Sequence, residues 1–81
     1  MDDTEILANI KDLVAEEHDL RERLTRGEIA AAEERTRLQT LEESLDQCWD
    51  LLRQRRARRA AGEDPAAAKP RPTGEVEDYL Q

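Results

Sequence analysis

The sequence predicts an all-α fold. We expect a coiled-coil-like antiparallel two-helix hairpin that dimerises into a four-helix bundle, followed by a Pro/Ala-rich C-terminal tail. Leucines recur at spacings of three and four over residues 38–52, which places them on one side of a helix. A second pattern of this kind runs through residues 6–24, and Gly27 separates the two. No stretch alternates with period two, so there is no strand signal.

The first helix is predicted over about residues 3–25. Acidic residues at positions 2, 3 and 5 lie near its positive dipole end, where carboxylates are favourable. Gly27 predicts its end, because glycine adopts the left-handed conformation that commonly follows a helix. The side that we expect to be buried carries Ile6, Ile10, Leu13, Leu20 and Leu24.

The second helix is predicted over about residues 30–61, with Gly62 and Pro65 as stop signals. Its start is weakly specified, since no Ser, Thr, Asp or Asn stands at the cap position. The expected buried side carries Leu38, Leu41, Leu45, Cys48, Trp49 and Leu52.

The short link around Gly27 predicts that the two helices run antiparallel as one hairpin over residues 1–62. A lone pair of helices leaves part of its apolar surface in water, and a small domain has little surface to bury. We therefore expect a homodimer. The buried rows of the two helices meet in a seam. The apolar residues that lie beside this seam and need a partner are Leu7, Val14, Trp49 and Leu51.

Residues 63–81 form the tail, which we expect to be largely flexible because it is rich in Pro and Ala. Residues 75–80 have the spacing of a short helical turn. An alternative is that this end folds back onto Trp49 and the arginines of the second helix, where its acidic residues would serve as counter-charges.

The net charge of −7 disfavours a dedicated nucleic-acid-binding domain, which is usually basic. The single cysteine, Cys48, leaves no internal disulfide framework, and a reducing cytoplasm is the simplest location. The acidic start lacks the apolar core of a signal peptide, and no apolar run approaches the roughly 20 residues of a membrane span. We therefore expect a cytoplasmic protein with no membrane partner.

Five arginines and no acid occupy residues 53–59, and this arginine cluster is the best candidate for partner binding. Three interpretations are open. The cations could complement the helix dipole and pair with acidic residues of the same chain, hold an acidic protein surface, or contact nucleic-acid phosphates. Trp49 lies close by and is a typical anchor residue of interfaces. The candidate residues are Arg53, Arg55, Arg56, Arg58, Arg59 and Trp49.

No arrangement in the sequence predicts catalysis, a cofactor or a metal centre. His18 has Glu17 and Glu22 as neighbours, but this trio lacks the closed ligand geometry of a metal site. Cys48 has no nearby histidine or second cysteine that would activate it, so we interpret it as a small buried hydrophobe.

Three segments resemble a family of short actinobacterial proteins that is described only as a domain of unknown function. They are GEI after the first helix, LDQCWDLLRQRRARR on the second, and the terminal EDYLQ. The resemblance covers nearly the whole chain and implies the helical hairpin, but it supplies no activity, cofactor or catalytic residue. Family members often carry Ser-Pro or Thr-Pro where this chain has Ala30 and Ala31, which implies a poorer cap here.

Overall fold

A computed structural model describes residues 2–72 of the 81-residue chain. Helix α1 spans Asp3–Thr25, helix α2 spans Ala31–Ala60, and a 3-10 turn follows at Pro65–Ala67. α1 and α2 pack against each other, and the described residues contain no strand. This architecture confirms the predicted all-α hairpin.

Both helices end in the same way, at a glycine in the left-handed conformation. Gly27 and Gly62 each have φ of 74°. After α1, the amide of Glu28 donates to the carbonyl of Arg23 at 2.8 Å, which forms a Schellman cap. The corresponding bond after α2 joins the amide of Glu63 to the carbonyl of Arg58 at 2.7 Å.

The two helices start differently. The Asp2 side chain caps α1 by accepting a hydrogen bond from the amide of Glu5 at 2.8 Å. At α2 the cap residue is Ala30, and no side chain satisfies the first amides of that helix. Tertiary packing therefore has to hold the start of α2, and Ile29, which is 7% exposed, lies directly before it.

Two apolar clusters form the core, one at each end of the hairpin. At the open end, Ile6 and Ile10 of α1 pack with Leu51 and Leu52 of α2, and Ala68 of the tail lies against this group. Ile6 is fully buried. The cluster nearer the turn consists of Leu20, Ile29 and Leu41, with Leu13, Leu24 and Leu38 partly buried around it.

The prediction that Trp49 belongs to the core of the hairpin is wrong. Trp49 keeps 47% of its surface exposed, whereas Leu51, which we expected beside the seam, is only 6% exposed. The two residues are about 200° apart around α2, so they lie on opposite edges of its seam. The tail covers the Leu51 edge. The other expected core residues are buried or partly buried: Ile6, Ile10, Leu13, Leu20, Leu24, Leu38, Leu41, Leu45, Cys48 and Leu52.

The first ten residues of the tail, 63–72, run back along α2. The carbonyl of Pro65 lies against Arg55, that of Lys69 against Gln54, and that of Arg71 against Gln47. This stretch is therefore antiparallel to α2 and adds a partial third layer. The turn that we predicted at 75–80 lies outside the described residues.

Candidate functional site

The arginine cluster meets the start of α1 at the open end of the hairpin. Arg55 Nε donates to Asp3 Oδ1 at 2.5 Å, and Arg59 Nη2 donates to Asp3 Oδ2 at 2.6 Å. The hydrogen bond from Arg59, followed by that from Arg55, lowers the pKa of Asp3 from 3.8 to about 2. One carboxylate thus joins two arginines of α2 to the first turn of α1.

Arg55 is a structural member of the cluster. It is only 9% exposed, and its Nη1 also donates to the carbonyl of Pro65 at 3.1 Å. A single guanidinium therefore connects α1, α2 and the tail. A buried cation with these partners is not available to an external ligand.

The remaining arginines of the cluster differ in what they contact. Arg58 pairs with Glu63 at 3.1 Å, and Arg53 donates to Asp50 at 3.4 Å. Arg56 is exposed, and within residues 2–72 it makes no ion pair. Much of the cluster's charge is thus directed at carboxylates of the same chain, as the first of the three interpretations predicts.

Asp50 is the most deeply buried polar residue of the described chain, and sequence reasoning did not single it out. Its side chain is 0% exposed. Both carboxylate oxygens accept from the guanidinium of Arg71, one of them from Nε at 2.8 Å. Gln54 Nε2 adds a bond at 2.9 Å, and Arg53 lies at 3.4 Å. The Arg71 bonds lower the pKa of Asp50 to about 2, although burial acts in the opposite direction.

Two glutamines hold the tail backbone on either side of this ion pair. Gln47 Nε2 donates to the carbonyl of Arg71 at 3.0 Å, and Gln54 Nε2 donates to that of Lys69 at 2.9 Å. Gln47, Asp50 and Gln54 are spaced by three and four residues, so they form one polar stripe on α2. That stripe is the signal from which a tail-binding surface could have been predicted.

The opposite side of the hairpin exposes apolar residues. Leu7 is 48% exposed, Val14 is 51% exposed and Trp49 is 47% exposed. Leu7 and Val14 are seven residues apart and therefore lie one above the other on α1. Each of the three side chains is displaced from the seam of its helix by roughly 80°, in the same rotational sense. In an antiparallel pair this places all three on one side of the hairpin.

The other candidates from the sequence show little chemistry. Cys48 is partly buried, and this burial raises the pKa of its thiol. His18 Nε2 lies 3.2 Å from Glu22, and both side chains are more than half exposed. Over residues 2–72, no three His, Cys, Asp or Glu side chains come together as a metal site would require.

An open groove of about 390 Å³ lies between the helices near the turn. Leu20 and Leu41 contribute apolar surface to it, and charged side chains including Glu16 and Arg23 stand along it. Within the described part of the chain, neither helix is long and apolar enough to cross a membrane.

Comparison with known proteins identifies the family to which the sequence belongs. A family model described as "Protein of unknown function (DUF2630)" matches residues 2–81. Uncharacterized proteins of Mycobacterium bovis and Mycobacterium tuberculosis are 56% identical over 77 residues, covering 95% of this chain and 88% of each relative. No solved structure matches. These matches confirm the resemblance seen in the sequence, and the chain belongs to this actinobacterial family of unknown function.

Proposed function

We propose that the protein is a small, non-catalytic interaction protein of the cytoplasm that self-associates through one side of its hairpin. The surface concerned is the apolar face, formed by Leu7, Val14 and Trp49. The observation that carries the proposal is that all three side chains are about half exposed and that their positions on the two helices place them on one side of the hairpin. Large apolar side chains grouped on one surface are typical of interfaces.

The shape of the hairpin supports the same conclusion. The described molecule is only 14 Å across in its thinnest direction, close to the diameter of one helix with side chains. A single layer of two helices cannot enclose apolar residues on both of its sides. Ala68 of the tail packs against the open-end cluster, to which Leu51 belongs, and covers that side of the hairpin. A second molecule could cover the other side.

The size of the apolar face indicates a modest affinity. Burying the exposed half of three large apolar side chains on each of two copies contributes about 6 kcal/mol in total. Association costs at least about 4 kcal/mol of translational and rotational freedom. The difference of about 2 kcal/mol corresponds to a dissociation constant of roughly 30 mM. The apolar face alone therefore gives a weak dimer that forms only at high protein concentration, unless further contacts across the interface strengthen it.

Two further proposals concern the arginine cluster, which would hold either an acidic protein surface or nucleic-acid phosphates. They have weaker support, because Arg55, Arg58 and Arg59 already donate to carboxylates of the same chain. Phosphate binding would also oppose the net charge of −7.

Sedimentation equilibrium over a concentration series tests self-association. The expected result is a mass that rises from 9.3 kDa toward twice that value. Leu7→Glu with Val14→Glu should abolish the rise, because it places charge on the apolar face. A matched control, Ala8→Glu with Ala15→Glu, adds the same charge at exposed positions one residue further along α1 and should leave the rise unchanged. A helical monomer at every concentration would refute the proposal.

A further inference from the structure

The exposed side of α2 carries opposite charges on the two sides of Trp49. Glu42 and Asp46 precede the tryptophan by seven and three residues, and Arg53 and Arg56 follow it by four and seven. At about 100° per residue these five side chains fall within an arc of about 80°. They therefore form one stripe along α2, acidic at one end, aromatic in the middle and basic at the other. This charged stripe borders the apolar face.

Arg53 of the stripe donates to Asp50 at 3.4 Å within the same helix, whereas the other three charges of the stripe have no ion-pair partner among residues 2–72. Within residues 2–72, neither Glu42 nor Asp46 makes an ion pair, and the same holds for Arg56. Glu42 and Arg56 are exposed as well. Other exposed acidic residues of the helices do find partners, such as Glu33 with Arg37 at 2.7 Å.

A charge pattern that inverts about a central residue is complementary to itself. If a second α2 lies antiparallel across the first at Trp49, residues at equal distances before and after this centre face each other. Position 42 then faces position 56 of the other copy, and position 46 faces positions 52 and 53. A two-fold axis produces this relation, and it repeats every contact twice.

We propose that the partner covering the apolar face is a second copy of this chain, docked with the two α2 helices antiparallel about Trp49. Glu42 pairs with Arg56 of the partner subunit, and Asp46 lies opposite Arg53 of the partner subunit, which also donates to Asp50 of its own chain. Leu7 and Val14 lie on the same side of the hairpin and complete a four-helix bundle. This assignment rests on the proposed self-association and specifies its geometry.

The charges select this orientation over the parallel one. With α2 parallel to its copy, Glu42 would face Glu42 and Arg56 would face Arg56, and like charges at such positions are destabilising. The apolar face supplies most of the affinity in either orientation, whereas the ends of the stripe distinguish them. Charge reversal is therefore the direct test.

The experiment compares the dimer dissociation constants of the wild type, Glu42→Arg, Arg56→Glu and the double variant by sedimentation equilibrium. Each single reversal creates two repulsive contacts and should raise the dissociation constant by about ten-fold or more. The double variant restores opposite charges and should return close to the wild-type value. Asp12→Arg serves as control, because Asp12 is exposed on the far side of α1 and its reversal should have little effect. Circular dichroism checks that all variants keep their helices.

A distance measurement provides a second test. In a Cys48→Ala background, a spin label attached at the exposed position 57, outside the charged stripe, should be separated from its copy by about 24 Å along the helix axis, which is 16 residues at 1.5 Å each. A parallel pair would hold the two labels at about 10 Å, one helix-to-helix spacing. A dimer with the shorter distance, or one that is insensitive to both single reversals, overturns the proposed orientation and leaves self-association standing. A monomer under all conditions overturns both.

Discussion

Replacing Asp50 with Asn should lower the free energy of unfolding by an amount that depends on pH. Asp50 is fully buried, and Arg71 holds its pKa at about 2 instead of 3.8. A lowered pKa means that folding favours the ionised carboxylate. The shift of nearly two units corresponds to about 2 kcal/mol of stability, which is fully present above the unfolded pKa near 4. As the pH falls through 2, this contribution is lost.

The assay is urea unfolding followed by circular dichroism at pH 7 and pH 2. At pH 7, Asp50→Asn should lower the free energy of unfolding by about 2 kcal/mol. At pH 2 the difference between variant and wild type should shrink to a few tenths of a kcal/mol, since the wild-type carboxyl is then half protonated. Asp3 titrates in the same range but is present in both proteins, so its effect cancels.

Asp12→Asn is the matched control, because Asp12 is exposed and makes no ion pair within residues 2–72. Its effect should stay within about 0.5 kcal/mol at both pH values. The reasoning would be refuted by an Asp50→Asn difference that is equal at pH 7 and pH 2. It would also be refuted by a variant as stable as the wild type at pH 7, since the tail would then not be held by this ion pair.

Three other substitutions test separate parts of the structure. Ile6→Ala should lower the free energy of unfolding by about 2–5 kcal/mol in urea titrations, because Ile6 is fully buried in the open-end cluster; a loss below 1 kcal/mol would contradict that burial. Gly27→Ala should cost about 1 kcal/mol in the same assay, because φ is 74° there and no atom lies within 4 Å of the added methyl group; an unchanged stability would mean that the turn does not need this conformation. Arg55→Ala should raise the pKa of Asp3 above about 2 in an NMR titration, since one of its two arginine bonds is removed, and an unchanged pKa would assign the shift to Arg59 alone.

Most of the hairpin could be predicted from local signals in the sequence. The spacing of Ile6 and Ile10, and of Leu41, Leu45 and Leu52, marks the buried sides of the two helices without knowledge of the other helix. Helix ends are equally local, because left-handed glycines and an Asp cap act on the nearest backbone groups.

Which residues beside the seam are buried could not be predicted from local signals. Trp49 and Leu51 both lie beside the seam of α2, so their positions in the sequence do not show which of them is buried. The path of the tail decides this. The flanking glutamines Gln47 and Gln54 mark Asp50 as part of a polar stripe on α2, but they do not show that its carboxylate is buried or which cation it binds. Its partner, Arg71, is 21 residues away in a segment that composition alone describes as a linker.

For this protein, the sequence by itself determined the two helices, their antiparallel relation and the charge at each end, because periodicity, glycine stops and dipole effects operate over one or two turns. Only the tertiary structure decided which side of the hairpin the tail covers, that Asp50 is the buried anchor of the tail, and that Leu51 is buried whereas Trp49 stays exposed. These outcomes depend on contacts between residues far apart in the chain, where burial and electrostatics are set by which surfaces meet and not by their local sequence.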